Sequence, residues 1–236
     1  EVKAAIDTYQ DVLTKANAGQ ATTAEVIAAG NSVKAADDAA ATAKTDGYAA
    51  LAVDASPVGN EQSVKDARTK LDGLVKNSAS STAALTAATT AYNQAVADAK
   101  QARDAMKAST KATVDGVISG ANAEAQEVAQ AINHYNDVVT NADSSQATTA
   151  DIKAAADAVT AAEQAAAAAK AAAKTALDQD ASPVANEATV QAAKTALQDL
   201  VDNPASSTAN LTSTTAAYTQ AITDAKSARE ATKTST

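Results

Sequence analysis

The residues able to do chemistry in this chain fall into a few small groups. His134 is the only histidine. A metal ligand or general base needs convergent partners, and none stands at a useful spacing from it, so a surface position is expected. Asp54, Asn60 and Glu61 recur as Asp180, Asn186 and Glu187. Oxygen ligands this close suit a hard cation such as Ca²⁺, but their spacing is not that of an EF-hand loop. Helix capping accounts for the same residues. Arg103 and Arg229 lie in DAKQARDA and DAKSAREA, where a guanidinium could hold a peptide or glycan carboxylate. The same segments offer Lys100–Asp104 and Lys226–Glu230 as helix-supporting pairs four residues apart. Tyr9, Tyr92, Tyr135 and Tyr218 could be stacking platforms for a sugar. Each also lies on an apolar helical seam, which makes a core role the better reading, whereas Tyr48 reads as a surface residue.

No Gly-rich phosphate loop, Ser–His pairing or zinc-ligand spacing occurs in the sequence. Catalytic, cofactor-binding and metal-ligating residues are therefore none, ligand-binding residues are unassigned, and the chain is not expected to be an enzyme or to need a cofactor. Threonines cluster at helix starts without an eleven-residue period, which argues against an ice-binding face.

These groups come in pairs because the chain is built by copying. Asp54 recurs as Asp180, 126 residues on, and the same offset carries Tyr9 to Tyr135, Leu71 to Leu197, Tyr92 to Tyr218 and Arg103 to Arg229. The alignment needs no gap, and more than half of its positions are identical. Residues 111–236 form one complete unit, and residues 1–110 form a preceding unit that lacks its first 16 residues. Each unit repeats internally as helix, polar loop and longer helix, the pattern of a helical hairpin.

Composition dictates helix. Hydrophobic residues make up 46% of the chain, most of them alanine, with no Trp, no Phe and five Tyr. Alanine has the highest helix propensity and loses no side-chain entropy on ordering, and three Pro and seven Gly offer few breaks. Without large aromatics the core must be thin. A net charge of −9 argues against a phosphate-tracking surface, hence against nucleic acid as partner. The absence of Cys excludes disulfides and thiolate sites. No run of about eighteen apolar residues suggests a membrane span. The chain begins at Glu1 and reads as a piece of something longer.

Periodicity places the elements. Val114, Ile118, Ala121, Ala125, Val128, Ile132, Tyr135 and Val139 alternate at four and three, predicting one long helix with a heptad seam. Thr148, with Asp151 three residues on, predicts a capping box opening a helix that carries Ile152, Val159, Ala166 and Ala173. In DASPV, Ser56 and Ser182 stand as N-caps and Pro57 and Pro183 as first helical residues, predicting a helix start at each corner. Val64, Leu71 and Val75 then mark a third helix, matched by Val190, Leu197 and Val201. A fourth runs from Thr82 or Thr208, and QARDAMKASTKATVDGVI predicts its continuation into the next unit. The fold expected is all-α: an elongated tandem of antiparallel helical bundles, four helices per 126-residue repeat.

Residues 12–36, VLTKANAGQATTAEVIAAGNSVKAA, show a helix end, a short polar loop, an AT-x-x-[E/D]-V start and small apolar residues at helical spacing. In this they resemble FIVAR-type and related Ala/Thr-rich helical modules. Such modules recur in large wall-anchored surface proteins of Gram-positive bacteria, including lactic acid bacteria. The resemblance implies an extracellular, cell wall-attached stalk or adhesin segment whose partners are the neighbouring repeats of the same chain, with no membrane insertion of this part and a monomeric state. The competing expectation is that the repeats themselves bind mucin, matrix protein or a cell-wall glycan by weak multivalent contacts. An intracellular helical scaffold is a further reading.

Overall fold

The computed structural model describes residues 1–235 as eight helices joined by short turns. They are α1 (Val2–Asn17), α2 (Thr23–Ala52), α3 (Gln62–Lys76), α4 (Thr82–Ile118), α5 (Gln126–Asp143), α6 (Thr149–Leu177), α7 (Ala188–Asp202) and α8 (Thr208–Thr234). The fold is all-α, with no strand among the described residues, and the helices pack as antiparallel bundles. Two compact units result. One comprises Glu1–Asp104 with Asp143–Thr148, the other Ala105–Ala142 with Thr149–Thr236. The division falls inside α4, which runs unbroken for 37 residues.

The first unit is held by α2, α3 and α4. Ala43, Ala50, Val58, Val64, Leu71, Val75, Leu85 and Tyr92 form its core, with Leu71, Val75 and Val58 fully shielded from solvent. Alanine and glycine on α2 let the neighbouring helix approach closely. At Gly47 a Cβ would stand 2.5 Å from Val75 Cγ1, so a side chain there forces the Val75 contact to shift. By contrast, α1 buries no residue completely. The second unit has a corresponding core of Ala173, Val184, Val190, Leu197, Leu211, Tyr218 and Ile222. A second cluster of Ala125, Val128 and Ala166 sits beside it. Helix α6 buries Ile152, Val159, Ala166 and Ala173, the heptad-spaced residues of the sequence pattern.

Helix starts follow local chemistry. The Thr22 hydroxyl accepts from Glu25 N while the Glu25 carboxylate accepts from Thr22 N at 2.7 Å, a reciprocal cap for α2. Its counterpart α6 begins at Thr149, directly after Thr148. Ser81 accepts from Ala84 N at 3.1 Å and Ser207 from Asn210 N at 3.1 Å, which opens α4 and α8.

Two expected boundaries are wrong. The single helix predicted over Val114–Val139 is two helices. Helix α4 ends at Ile118 and α5 starts at Gln126, so Ala121 and Ala125 lie in turns between them. Gly120 N donates to Val117 O at 2.9 Å and Ala125 N to Asn122 O at 3.0 Å, short-range bonds that replace the helical ladder there. The apolar spacing survives the break because Ala125 still reaches the core, and this misled the periodicity reading.

The DASPV corners do not start helices either. Asp54 Oδ1 accepts from Ser56 N at 2.8 Å, and Asp180 Oδ1 from Ser182 N at 2.8 Å. The acid thus caps the serine's own amide and makes a turn. Further turns follow at Val58 N–Ala55 O and Glu61 N–Val58 O, at 2.9 and 3.0 Å. The Ser56–Pro57 and Ser182–Pro183 peptides are cis. Helices α3 and α7 begin only at Gln62 and Ala188, with Glu61 and Glu187 at the N-cap positions.

With so few large side chains in the core, each one carries a large share of the packing. Leu71→Ala removes a fully buried side chain from the first core. The expected loss is about 2–5 kcal/mol, read as a lower urea midpoint for that unit.

Candidate functional site

The most developed polar site in the chain is the corner around Arg103. Helix α4 carries this residue inward, where its side chain is 1% exposed. The guanidinium donates to Pro57 O, to Asn60 Oδ1 at 3.2 Å, to Glu61 Oε1 at 2.7 Å and to Ala147 O at 3.0 Å. Glu61 is 16% exposed, so the ion pair is largely withdrawn from water. A buried guanidinium is tolerated only when its donors are occupied and its charge is compensated. Within the first unit Glu61 compensates the charge, and the 54–61 corner and the Asp143–Thr148 segment take up the two terminal nitrogens. The carboxylate this arginine holds is the protein's own.

The equivalent corner in the second unit is open. Arg229 is exposed and donates to Pro183 O at 3.4 Å. Beside it lies a cleft of about 620 Å³ lined by Glu187, Asp224 and Arg229, among others. Lys226 donates to Asp180 O at 3.1 Å, and Glu230 pairs with Lys233 at 2.6 Å. The expected Lys226–Glu230 pair is therefore replaced, because the corner carbonyl lies within reach of the lysine.

The remaining candidates disperse. Tyr92 and Tyr218 are 1% exposed and Tyr135 is 5% exposed, all in helix packing. The Tyr135 hydroxyl meets Thr110 Oγ1 at 3.0 Å, and Tyr9 is half-buried. The four therefore present no shared platform. Tyr48 is exposed, with its hydroxyl donating to Val75 O at 3.4 Å. His134 is exposed on α5. Asp54 and Glu61 serve different partners, the Ser56 amide and Arg103. Among the described residues no group of three or more His, Cys, Asp or Glu side chains is placed to hold a metal ion. No helix among them is long and apolar enough to cross a membrane. Threonine hydroxyls along the helices turn back to the carbonyl four residues earlier, as at Thr45, Thr69 and Thr175.

One polar contact escaped the sequence reading and occurs in both units. Glu1 Oε2 accepts from Thr82 N at 2.8 Å. Glu127 accepts from Thr208 N with both oxygens, at 3.2 and 3.1 Å, and from the Thr208 hydroxyl at 3.3 Å. Each carboxylate stands at the start of one helix and occupies the free amide at the start of another, 81 residues on. The helix dipole favours an anion there. Burial alone would raise the Glu127 carboxyl, but the Thr208 amide and hydroxyl outweigh it and hold the group below its ordinary value. The Thr82 amide lowers Glu1 in the same sense. The recurrence of Glu1 as Glu127 and of Thr82 as Thr208 was the available signal.

The chain matches no protein-family model, no curated protein and no solved structure.

Two outcomes follow from the geometry. Arg103→Ala leaves Glu61 buried without its cation and is expected to destabilise the first unit by about 3 kcal/mol. Arg229→Ala should barely move the second unit, because an exposed side chain returns to water. Parallel urea titrations of both variants measure the difference. For Glu127, a carboxyl lowered on folding contributes stability above its unfolded value and loses it as pH falls through the folded value. Glu127→Gln is therefore expected to flatten the acid limb of the stability–pH curve. An unchanged slope below about pH 4.3 would show that the carboxylate is not stabilised by α8.

Proposed function

We propose that this chain is a non-catalytic repeat segment of a bacterial surface protein, acting as a stalk or spacer in cell adhesion. The observation that carries the reading is the fate of its polar residues. Outside the open Arg229 corner, most of the groups that recur between the copies and could have formed a ligand site are engaged in packing, turns or joints between helices. Arg103 and Glu61 close a corner, Glu127 covers the start of α8, Asp54 and Asp180 make turns, and Tyr92 and Tyr218 fill cores. A spacer needs this economy, since its surface has only to stay soluble and its joints have to hold. The acidic net charge and lack of cysteine suit exposure outside the cell. The likeness of residues 12–36 to FIVAR-type modules supports attachment, through other parts of a larger protein, to a Gram-positive cell wall.

The test is binding of the purified chain to immobilised mucin, matrix proteins and cell-wall glycans. No binding at high micromolar concentration is the expected result. Saturable binding to any one of them would make the repeats themselves the adhesive element and would overturn the spacer reading.

A further inference from the structure

The turn before α8 hides a hydroxyl that neither packing nor capping uses. Ser206 is 6% exposed, and its Oγ has no hydrogen-bond partner among the described residues. The cap of α8 is the next residue, Ser207, so helix initiation does not account for Ser206. A hydroxyl withdrawn from water without a partner is destabilising. This one stands on the wall of a cavity of about 10 Å³, room for a single water-sized occupant. Lys170 of α6 and Asn203 of the same turn also line it, with Ala166 and Leu211 as apolar walls. All of these residues belong to the second unit.

The polar lining offers hydrogens. Ala205 N donates to Asn203 Oδ1 at 3.0 Å, which occupies that oxygen and leaves the Asn203 Nδ2 hydrogens to give. Asn122, also on the wall, turns its amide to Glu163 at 3.1 Å. Lys170 is half-buried and has no acid three or four residues away on its helix, unlike Lys111 and Lys153, which pair with Asp115 and Asp157. The same donors recur in the first unit as Lys44, Asn77 and Ser80. There Ala79 N donates to Asn77 Oδ1 at 2.9 Å, and Ser80 Oγ is again buried without a partner. Lys44 is also half-buried with no acid at helical spacing. Two copies thus keep a buried hydroxyl, an amide with its oxygen occupied and a lysine without an ion-pair partner on its own helix.

We propose that the cavity between α6 and the α7–α8 turn binds a chloride ion. The Ser206 hydroxyl and Asn203 Nδ2 donate to it, and the Lys170 ammonium compensates its charge. Ala166 and Leu211 hold water back. The room excludes larger anions such as sulfate or a carboxylate, and a water molecule would leave the lysine charge unanswered. The ion relies on side-chain donors, because Glu127 already occupies the Thr208 amide. It fastens α6 to the turn that opens α8. This inference goes beyond the spacer reading and does not depend on it.

Crystals of the full chain grown with bromide in place of chloride locate the ion by its anomalous signal. A peak between Lys170 and Ser206 is expected, and it should vanish in Ser206→Ala and in Lys170→Met, which keeps the apolar stem. Urea titrations in sodium chloride and in sodium gluconate at equal ionic strength hold screening constant. Chloride should raise the midpoint of the parent chain. Above the dissociation constant, each tenfold increase in chloride should multiply the folded-to-unfolded ratio of the second unit about tenfold. Ser206→Ala should lose that gain yet equal the parent in gluconate, where the hydroxyl has nothing to bind. No bromide peak, a peak that survives both substitutions, or equal midpoints in the two salts overturns the proposal.

Discussion

An alanine side chain lets two helices lie close together but says little about where along their lengths they meet. Every row of methyl groups resembles the next, and each buried methyl contributes little. This protein answers with a few large residues and with polar contacts at helix ends. Leu71, Val75 and Tyr92 hold one core, and Leu197, Tyr218 and Ile222 hold the other. The axial position is set where the carboxylate of Glu1 or Glu127 meets the first amide of a helix 81 residues away. A sliding error of one turn would separate these groups by about 5 Å and leave the amide uncovered. Polar chemistry, usually sought for function, here supplies the register that an aromatic core would provide elsewhere.

The part of this arrangement legible in the sequence is the part written in local spacing. Seven-residue intervals on α6 identified its buried face, and α4 and α8 start at Thr82 and Thr208, where the pattern placed them. The errors came where two local rules competed for the same residues. At Asp54-Ala55-Ser56-Pro57 the proline suggested a first helical position, but the acid two residues before Ser56 bonds that serine's amide and makes a turn. Near Gly120 an apolar period carried across a break because Ala125 packs inward from a turn. The candidate site was readable as a set of recurring residues and unreadable as a place. Arg103 meets acceptors 42 to 46 residues away on either side, and no spacing rule reaches that far. Its burial also could not be inferred, since Arg229 in nearly the same local sequence is exposed.

That pair shows how context separates two identical corners. Arg103 and Arg229 sit among the same named neighbours, Pro, Asn and Glu at matching offsets. One is withdrawn from water, the other is not, and the difference is the six-residue segment from Asp143 to Thr148 laid over the first. A guanidinium keeps its charge at any pH a protein survives. The closed corner therefore stays an ion pair until Glu61 is protonated or the covering segment lifts.

The spacing of the Arg103 contacts also bears on inheritance. Pro57 and Ala147 lie on opposite sides of the arginine in sequence, 90 residues apart and therefore within the span of a single 126-residue period. A gene that gains or loses one whole period by unequal crossing-over carries every member of the joint with it, in order and at the right distance. A change of any other length between Pro57 and Ala147 alters the separations at which the arginine meets its acceptors.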